Sequence, residues 1–194
     1  FKTHSSTDEH RIVEFADHAL KEFIDEAKQQ EWFDNTIFVF VGDHGKIVGT
    51  PRSDMPLSFN HVPLFIYSPS FIEPRQIEDL GGQVDIAPTV LGLLNIDYTD
   101  NGFGVNLLQE KRKAAFLTSD DAIGCVNDSL FYIYKPKENQ EWLLSQERAI
   151  EKGGNIDNPA VCQELREYAF SMLQTAQYLM SNNLTGKYIG YQPR

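Results

Sequence analysis

Over the first thirty residues, apolar side chains recur at Ile12, Ala16, Ala19, Leu20, Phe23 and Ala27 with charged residues between them. That spacing of three and four predicts an amphipathic helix running to about Gln30. Ser6-Thr7-Asp8-Glu9 offers a capping box ahead of it. Asp34-Asn35 breaks the period, and Ile37 to Val41 is a continuous apolar run rich in β-branched and aromatic residues. A run without alternation predicts a strand buried on both faces, as in a parallel sheet covered by helices.

Gly42 ends that strand. The segment from Lys46 to Asn60, with its two prolines, a glycine and several polar residues, is long for a loop in a compact domain, and such loops often belong to active sites. Val62-Pro63-Leu64-Phe65-Ile66-Tyr67 predicts a second strand, with Pro63 near its start where a missing N–H costs least. After Gly81-Gly82, Asp85 is placed to cap a helix, Pro88 fits its first turn, and Val90, Leu91, Leu93 and Leu94 give its apolar face.

Near Ala114 the texture changes. Ala115 to Thr118, Leu130 to Tyr134 and Glu141 to Leu144 are short β-like runs between turn-rich stretches, which predicts an antiparallel meander. Asn158-Pro159 opens a last helix whose stripe is Val161, Leu165, Tyr168, Ala169, Met172, Leu173, Ala176 and Met180. The final ten residues, with Gly186, Gly190 and Pro193, read as a tail. The pattern as a whole is α/β: a mostly parallel sheet flanked by helices over residues 1–112, then an antiparallel β meander with a terminal helix over 113–194.

Composition narrows what such a fold can do. Lys plus Arg number 17 against 28 Asp plus Glu, a formal charge of −11, so a nucleic-acid footprint of clustered basic residues has no support. The longest apolar stretch, Thr36 to Val41, falls far short of the roughly 20 residues a membrane helix needs. Cys125 and Cys162 form no C-x-x-C pattern, which argues against a zinc ribbon or a dithiol redox site; a disulfide and two buried thiols both fit. A start at Phe1 without a signal-peptide pattern suggests a fragment or a processed product.

Gly42-Asp43-His44-Gly45 follows the first strand directly, at the carboxyl edge where open α/β sheets bind ligands. Flanking glycines let the two side chains converge, and a carboxylate with an imidazole suits a divalent metal ion. The alternative is a turn in which Asp43 accepts backbone N–H groups and His44 is merely solvated. His61 precedes the second strand, and it shares that edge only if the strand starts from that side; a parallel strand would start at the other. Asp17-His18 lies on a helix, where neighbours cannot face one point, and reads as surface detail. Thr50, Ser53 and Ser58 sit in no G-x-S-x-G elbow, and there is no P-loop, G-x-G-x-x-G or H-E-x-x-H.

Three ordered segments are more specific than any one: Trp32 to Gly45, Asn60 to Pro69, and Gln83-Val84-Asp85-Ile86-Ala87-Pro88-Thr89. With Phe15 to Leu20 before them and Gly102 to Leu108 after, they resemble the sulfatase and phosphoglycerol transferase branch of the alkaline phosphatase superfamily. The later meander and helix resemble, more loosely, the C-terminal subdomain of lipoteichoic acid synthase-like enzymes.

That resemblance implies a divalent metal (Mn, Mg, Zn or Ca) held by Asp43 and His44 together with an acidic residue and a threonine, serine or formylglycine nucleophile from earlier sequence. It gives His61 a catalytic role, as a further ligand or an oxyanion contact. The implied substrate is a phosphate or sulfate ester, lipid-linked in the transferase branch. The short C-terminal subdomain and the Gly-Gly-Gln-Val-Asp approach to the third motif favour that branch over a sulfatase. Membrane attachment would come only from N-terminal segments outside this sequence, with this part on the periplasmic or extracellular face. A module that kept the fold and lost the chemistry is the contrasting reading.

Overall fold

Thr7 has an extended backbone and its hydroxyl accepts the His10 N–H at 3.3 Å, so helix α1 (Asp8–Ala27) starts one residue later than a Ser6–Glu9 capping box would place it. The computed structural model describes residues 1–46, 55–98, 102–146 and 155–185. The predicted tail with Gly186, Gly190 and Pro193, and the loop hydroxyls of Thr50 and Ser53, lie outside the described residues. The chain divides into two units, Phe1–Gly42 with Pro63–Gln76, and Asp43–Val62 with Ile77–Arg194.

In the first unit, α1 leads through a 3₁₀ turn (Phe33–Asn35) into strand β1 (Phe38–Val41), which pairs with β2 (Leu64–Tyr67). Phe38 is the hub of its core. Its ring lies 5.5 Å from that of Phe33, 6.0 Å from Tyr67 and 6.1 Å from Phe23, in the tilted and edge-on arrangements that aromatic quadrupoles favour. Of the predicted α1 stripe only Ala27 is buried; Ile12, Leu20 and Phe23 are exposed within this unit.

The expected parallel pairing is not seen, and the direction of β2, which the sequence left open, is antiparallel. β1 and β2 pair antiparallel, with Phe38 opposite Tyr67 and Val41 opposite Leu64, and no parallel pair occurs among the described residues. A parallel partner needs a crossover that carries the chain to the opposite edge. Here β2 starts at the edge where β1 ends, with Leu64 opposite Val41. Within this unit β1 is buried only at Phe38 and exposed at Val41, rather than covered on both faces as expected, and β2 alternates, with Phe65 and Tyr67 exposed. The α/β class itself holds.

In the second unit, β3 (Ala115–Thr118), β4 (Ile123–Val126), β5 (Leu130–Lys135) and β6 (Gln140–Ser145) form the predicted meander, antiparallel and in sequence order. β4 is the strand the sequence pattern missed. Its Gly124 leaves room for Met55, whose methyl would lie 3.0 Å from a Cβ built there. The period of two sends Phe131 and Ile133 to one face, against Met55, and Tyr132 to the other, against Leu165 and Ala169 of helix α4 (Pro159–Ser181). That helix opens as predicted: the Asn158 side chain accepts the Val161 N–H at 3.3 Å, with Pro159 in the first turn. Both cysteines are free thiols, Cys125 fully buried.

Two further elements carry the site. Met55, 1% exposed, anchors the stretch before helix α2 (Leu57–Asn60) to the meander, and burying such a side chain contributes about 2–3 kcal/mol. A 3₁₀ turn (Gln83–Asp85) runs directly into helix α3 (Ile86–Leu93).

Candidate functional site

Because β2 starts at the edge where β1 ends, the segments bearing Asp43-His44 and His61 leave and rejoin the sheet side by side. They are tied together directly. The Gly45 N–H donates to the Phe59 carbonyl at 2.7 Å, and a Cβ at position 45 would meet the Ser58 carbonyl oxygen at 2.2 Å, so only glycine fits there. The His61 N–H donates to the Leu57 carbonyl at 2.8 Å, closing α2, and the His61 side chain is exposed. The His44 ring stacks on Phe59, centroids 4.5 Å apart.

The donors of His44 are sorted by its neighbours. Its Nδ1 lies 2.8 Å from the Gly45 carbonyl oxygen. A carbonyl can only accept, so Nδ1 carries the proton and the lone pair is on Nε2, the arrangement a backbone partner imposes on metal-binding histidines. Asp43 accepts the His44 N–H on Oδ1 at 2.9 Å, and its Oδ2 lies 3.9 Å from His44 Nε2. Asp43 thus caps its own turn through Oδ1 while Oδ2 lies toward His44 Nε2.

Does this pair fit a divalent metal? Ligand distances of about 2.0–2.2 Å allow two donors on one ion to be at most about 4.3 Å apart, and 3.9 Å lies within that reach. The donor chemistry, one carboxylate oxygen and one imidazole nitrogen, also fits. Among the described residues no group of three or more His, Cys, Asp and Glu converges on one point. The pair is thus two donors, not a closed site.

The third motif behaves differently from its predicted role. Asp85 does not cap α3 with its side chain. It is fully buried, and its carboxylate accepts the Gly82 N–H at 2.7 Å and the Val105 N–H at 2.8 Å. Arg112, 7% exposed, closes on it through both Nε and Nη2 and donates to the Phe103 carbonyl at 2.6 Å. The bidentate pair raises the pKa of the guanidinium above its ordinary value, with the Asp85 hydrogen bond as the first cause. Buried Thr89 adds a second tie, accepting the Leu107 N–H at 3.0 Å. So Asp85 and Thr89 bind their own turn to residues 103–107, which gives a structural reason for those two segments to occur together.

Two residues that the sequence pattern did not single out join this frame. Arg112 is one. The other is Gln83, whose Nε2 donates to the Asp43 carbonyl at 3.1 Å across 40 positions of sequence. Arg112 has no sequence signal, and Gln83, although it opens the third motif, gives none of this contact; both acquire these roles only from where the fold places them.

A family model described as Sulfatase matches residues 5–96, the region that holds all three motifs. Lipoteichoic acid synthase-like YvgJ of Bacillus subtilis is 33% identical over 133 residues, 56% of this chain and 21% of that protein. An arylsulfatase of Clostridium perfringens is 29% identical over 139 residues, 65% of this chain and 28% of the enzyme. The chain thus spans about a fifth to a quarter of the curated relatives it matches. A protein in the alkaline phosphatase superfamily from Vibrio parahaemolyticus shares the fold, with a TM-score of 0.79 at 21% identity over 97% of this chain and 46% of that one.

Proposed function

We propose that the chain is part of an alkaline phosphatase superfamily protein, with residues 5–96 as its sulfatase-type region, and that Asp43 and His44 are metal donors in a site that transfers a phosphoryl or sulfuryl group. The observation that carries this reading is the 2.8 Å approach of His44 Nδ1 to the Gly45 carbonyl oxygen, an acceptor that calls for the proton on Nδ1 and leaves Nε2, 3.9 Å from the Asp43 carboxylate, for a metal.

A divalent ion, when bound, supplies positive charge that polarises the ester and lowers a nucleophile's pKa. Asp43 contributes the negative charge that holds such an ion. His44 contributes a neutral lone pair, its ring kept in place by Phe59. His61, exposed on the neighbouring segment with its backbone fixed by α2, is placed to donate an N–H to a non-bridging oxygen of the ester. The nucleophile and further donors are assigned to polypeptide outside this chain.

Of the two reactions we favour phosphoglycerol transfer, on the 33% identity to the lipoteichoic acid synthase-like protein. That reading puts the site on the outer face of a membrane, with a lipid-linked substrate. No helix among the described residues is long and apolar enough to cross a membrane, so attachment would lie elsewhere in the protein. Sulfate-ester hydrolysis is the second reading, supported by the arylsulfatase match over 65% of this chain.

The test is an assay of the whole parent protein with added divalent metal, against phosphatidylglycerol and against an aryl sulfate. Asp43→Ala and His44→Ala should each lower kcat/KM on the order of a thousandfold, the several kcal/mol that metal polarisation supplies. Wild-type activity in both variants would sink the proposal. Turnover of the aryl sulfate alone would select the second reading.

A further inference from the structure

The Asp43–His44 peptide unit is held from both ends. On one side its carbonyl accepts the Gln83 amide at 3.1 Å; on the other, its N–H donates to the Asp43 carboxylate at 2.9 Å. A peptide unit is planar, so fixing its carbonyl and N–H directions fixes the orientation of the two α-carbons that flank it. Those two carbons carry the two proposed donors. We propose that Gln83 is a positioning residue for the Asp43–His44 pair, an inference that rests on their reading as metal donors.

Three features support this. First, the turn lies between glycines and outside any strand or helix, so its own backbone supplies few restraints. Second, Gln83 is exposed, so its side chain is not there to fill a core. Third, its backbone lies inside a closed turn. The Gly82–Asp85 turn is closed by the Asp85 N–H on the Gly82 carbonyl at 2.9 Å and by the Gly82 N–H on the Asp85 carboxylate at 2.7 Å. The carboxylate is in turn clamped by Arg112. A rigid chain of contacts therefore runs from Arg112 through Asp85 and Gln83 to the carbonyl between the donors.

The residue type fits the task. Glutamine is a neutral donor with enough reach; a lysine would bring positive charge beside a cation, and a glutamate cannot donate.

The test compares the whole parent protein with its Gln83→Leu and Gln83→Glu variants. Mn²⁺ affinity is read from relaxation enhancement of the His44 ring protons, the order of the turn from amide exchange at His44 and Gly45, and folding from the urea midpoint. Both variants should bind Mn²⁺ about tenfold or more weakly, the usual loss when a group supporting a metal ligand is removed. Exchange at His44 and Gly45 should accelerate with the urea midpoint unchanged. Wild-type affinity in Gln83→Leu, tighter binding in Gln83→Glu, or a fall in midpoint matching the loss of affinity would overturn the inference while leaving the donor reading intact. Absence of any Mn²⁺ effect on His44 in the unsubstituted protein would overturn the donor reading and this inference with it.

Discussion

Gly45 and Phe59 are joined by a 2.7 Å backbone hydrogen bond, and it brings the Asp43-His44 turn and the His61 segment together. The same close approach leaves no room for a side chain at position 45. Gly45→Ala should therefore cost about 1–3 kcal/mol, the range for forcing an extra methyl into filled space. Hydrogen exchange should show the loss at residues 43–46 and 55–61, with the β3–β6 meander unaffected. Uniform loss across the meander would show that the turn is not a separate packing problem.

The Asp85–Arg112 pair makes a different prediction. Removing one member of a buried, hydrogen-bonded ion pair leaves an uncompensated charge and typically costs about 3–5 kcal/mol. Arg112→Met and Asp85→Asn should each lower urea stability on that scale, and the double variant should lose less than the sum. Additive losses would mean that the two groups do not act as a pair.

Met55 links the meander to the site. Met55→Ala should cost about 2–5 kcal/mol for the lost contacts and the cavity, and it should also loosen α2 and the His61 segment. A stability loss without faster exchange at His61 would separate the two roles.

How far these relationships could be read from the sequence depends on their range. The run from Ile37 to Val41, the turn after it and the Asn158-Pro159 start of α4 are local patterns, and all three occur where predicted. The direction of β2 is not local. Nothing in Val62 to Tyr67 says which end meets β1; only the register, with Val41 opposite Leu64, shows it. β4 was hidden because Ile-Gly-Cys-Val has a glycine where a strand pattern expects a side chain, and the space it leaves is filled by Met55 from a distant segment. Asp85 was misread as a cap because its partners, Val105 and Arg112, lie 20 and 27 positions away.

Burial pushes the Cys125 thiol up to about 12. The unfolded thiol ionises near its ordinary pKa of about 8.5 while the folded one does not. Below pH 8 the thiol is neutral in both states and costs nothing; between about 8.5 and 12 only the unfolded chain releases its proton, so this stability contribution falls as pH rises through that window. Alkylation by iodoacetamide at pH 8 should leave Cys125 unmodified until the protein is unfolded in urea. Rapid modification of the folded protein would contradict the buried placement.

The donor role of His44 can be read directly by ¹⁵N NMR of its imidazole while the whole parent protein is titrated with Zn²⁺. The account predicts a protonated Nδ1 before and after addition, with the Nε2 resonance shifting as metal binds, and no such shift in Asp43→Ala at the same Zn²⁺ concentration. An Nε2 resonance that never moves, or binding through Nδ1 with loss of its proton, would contradict it.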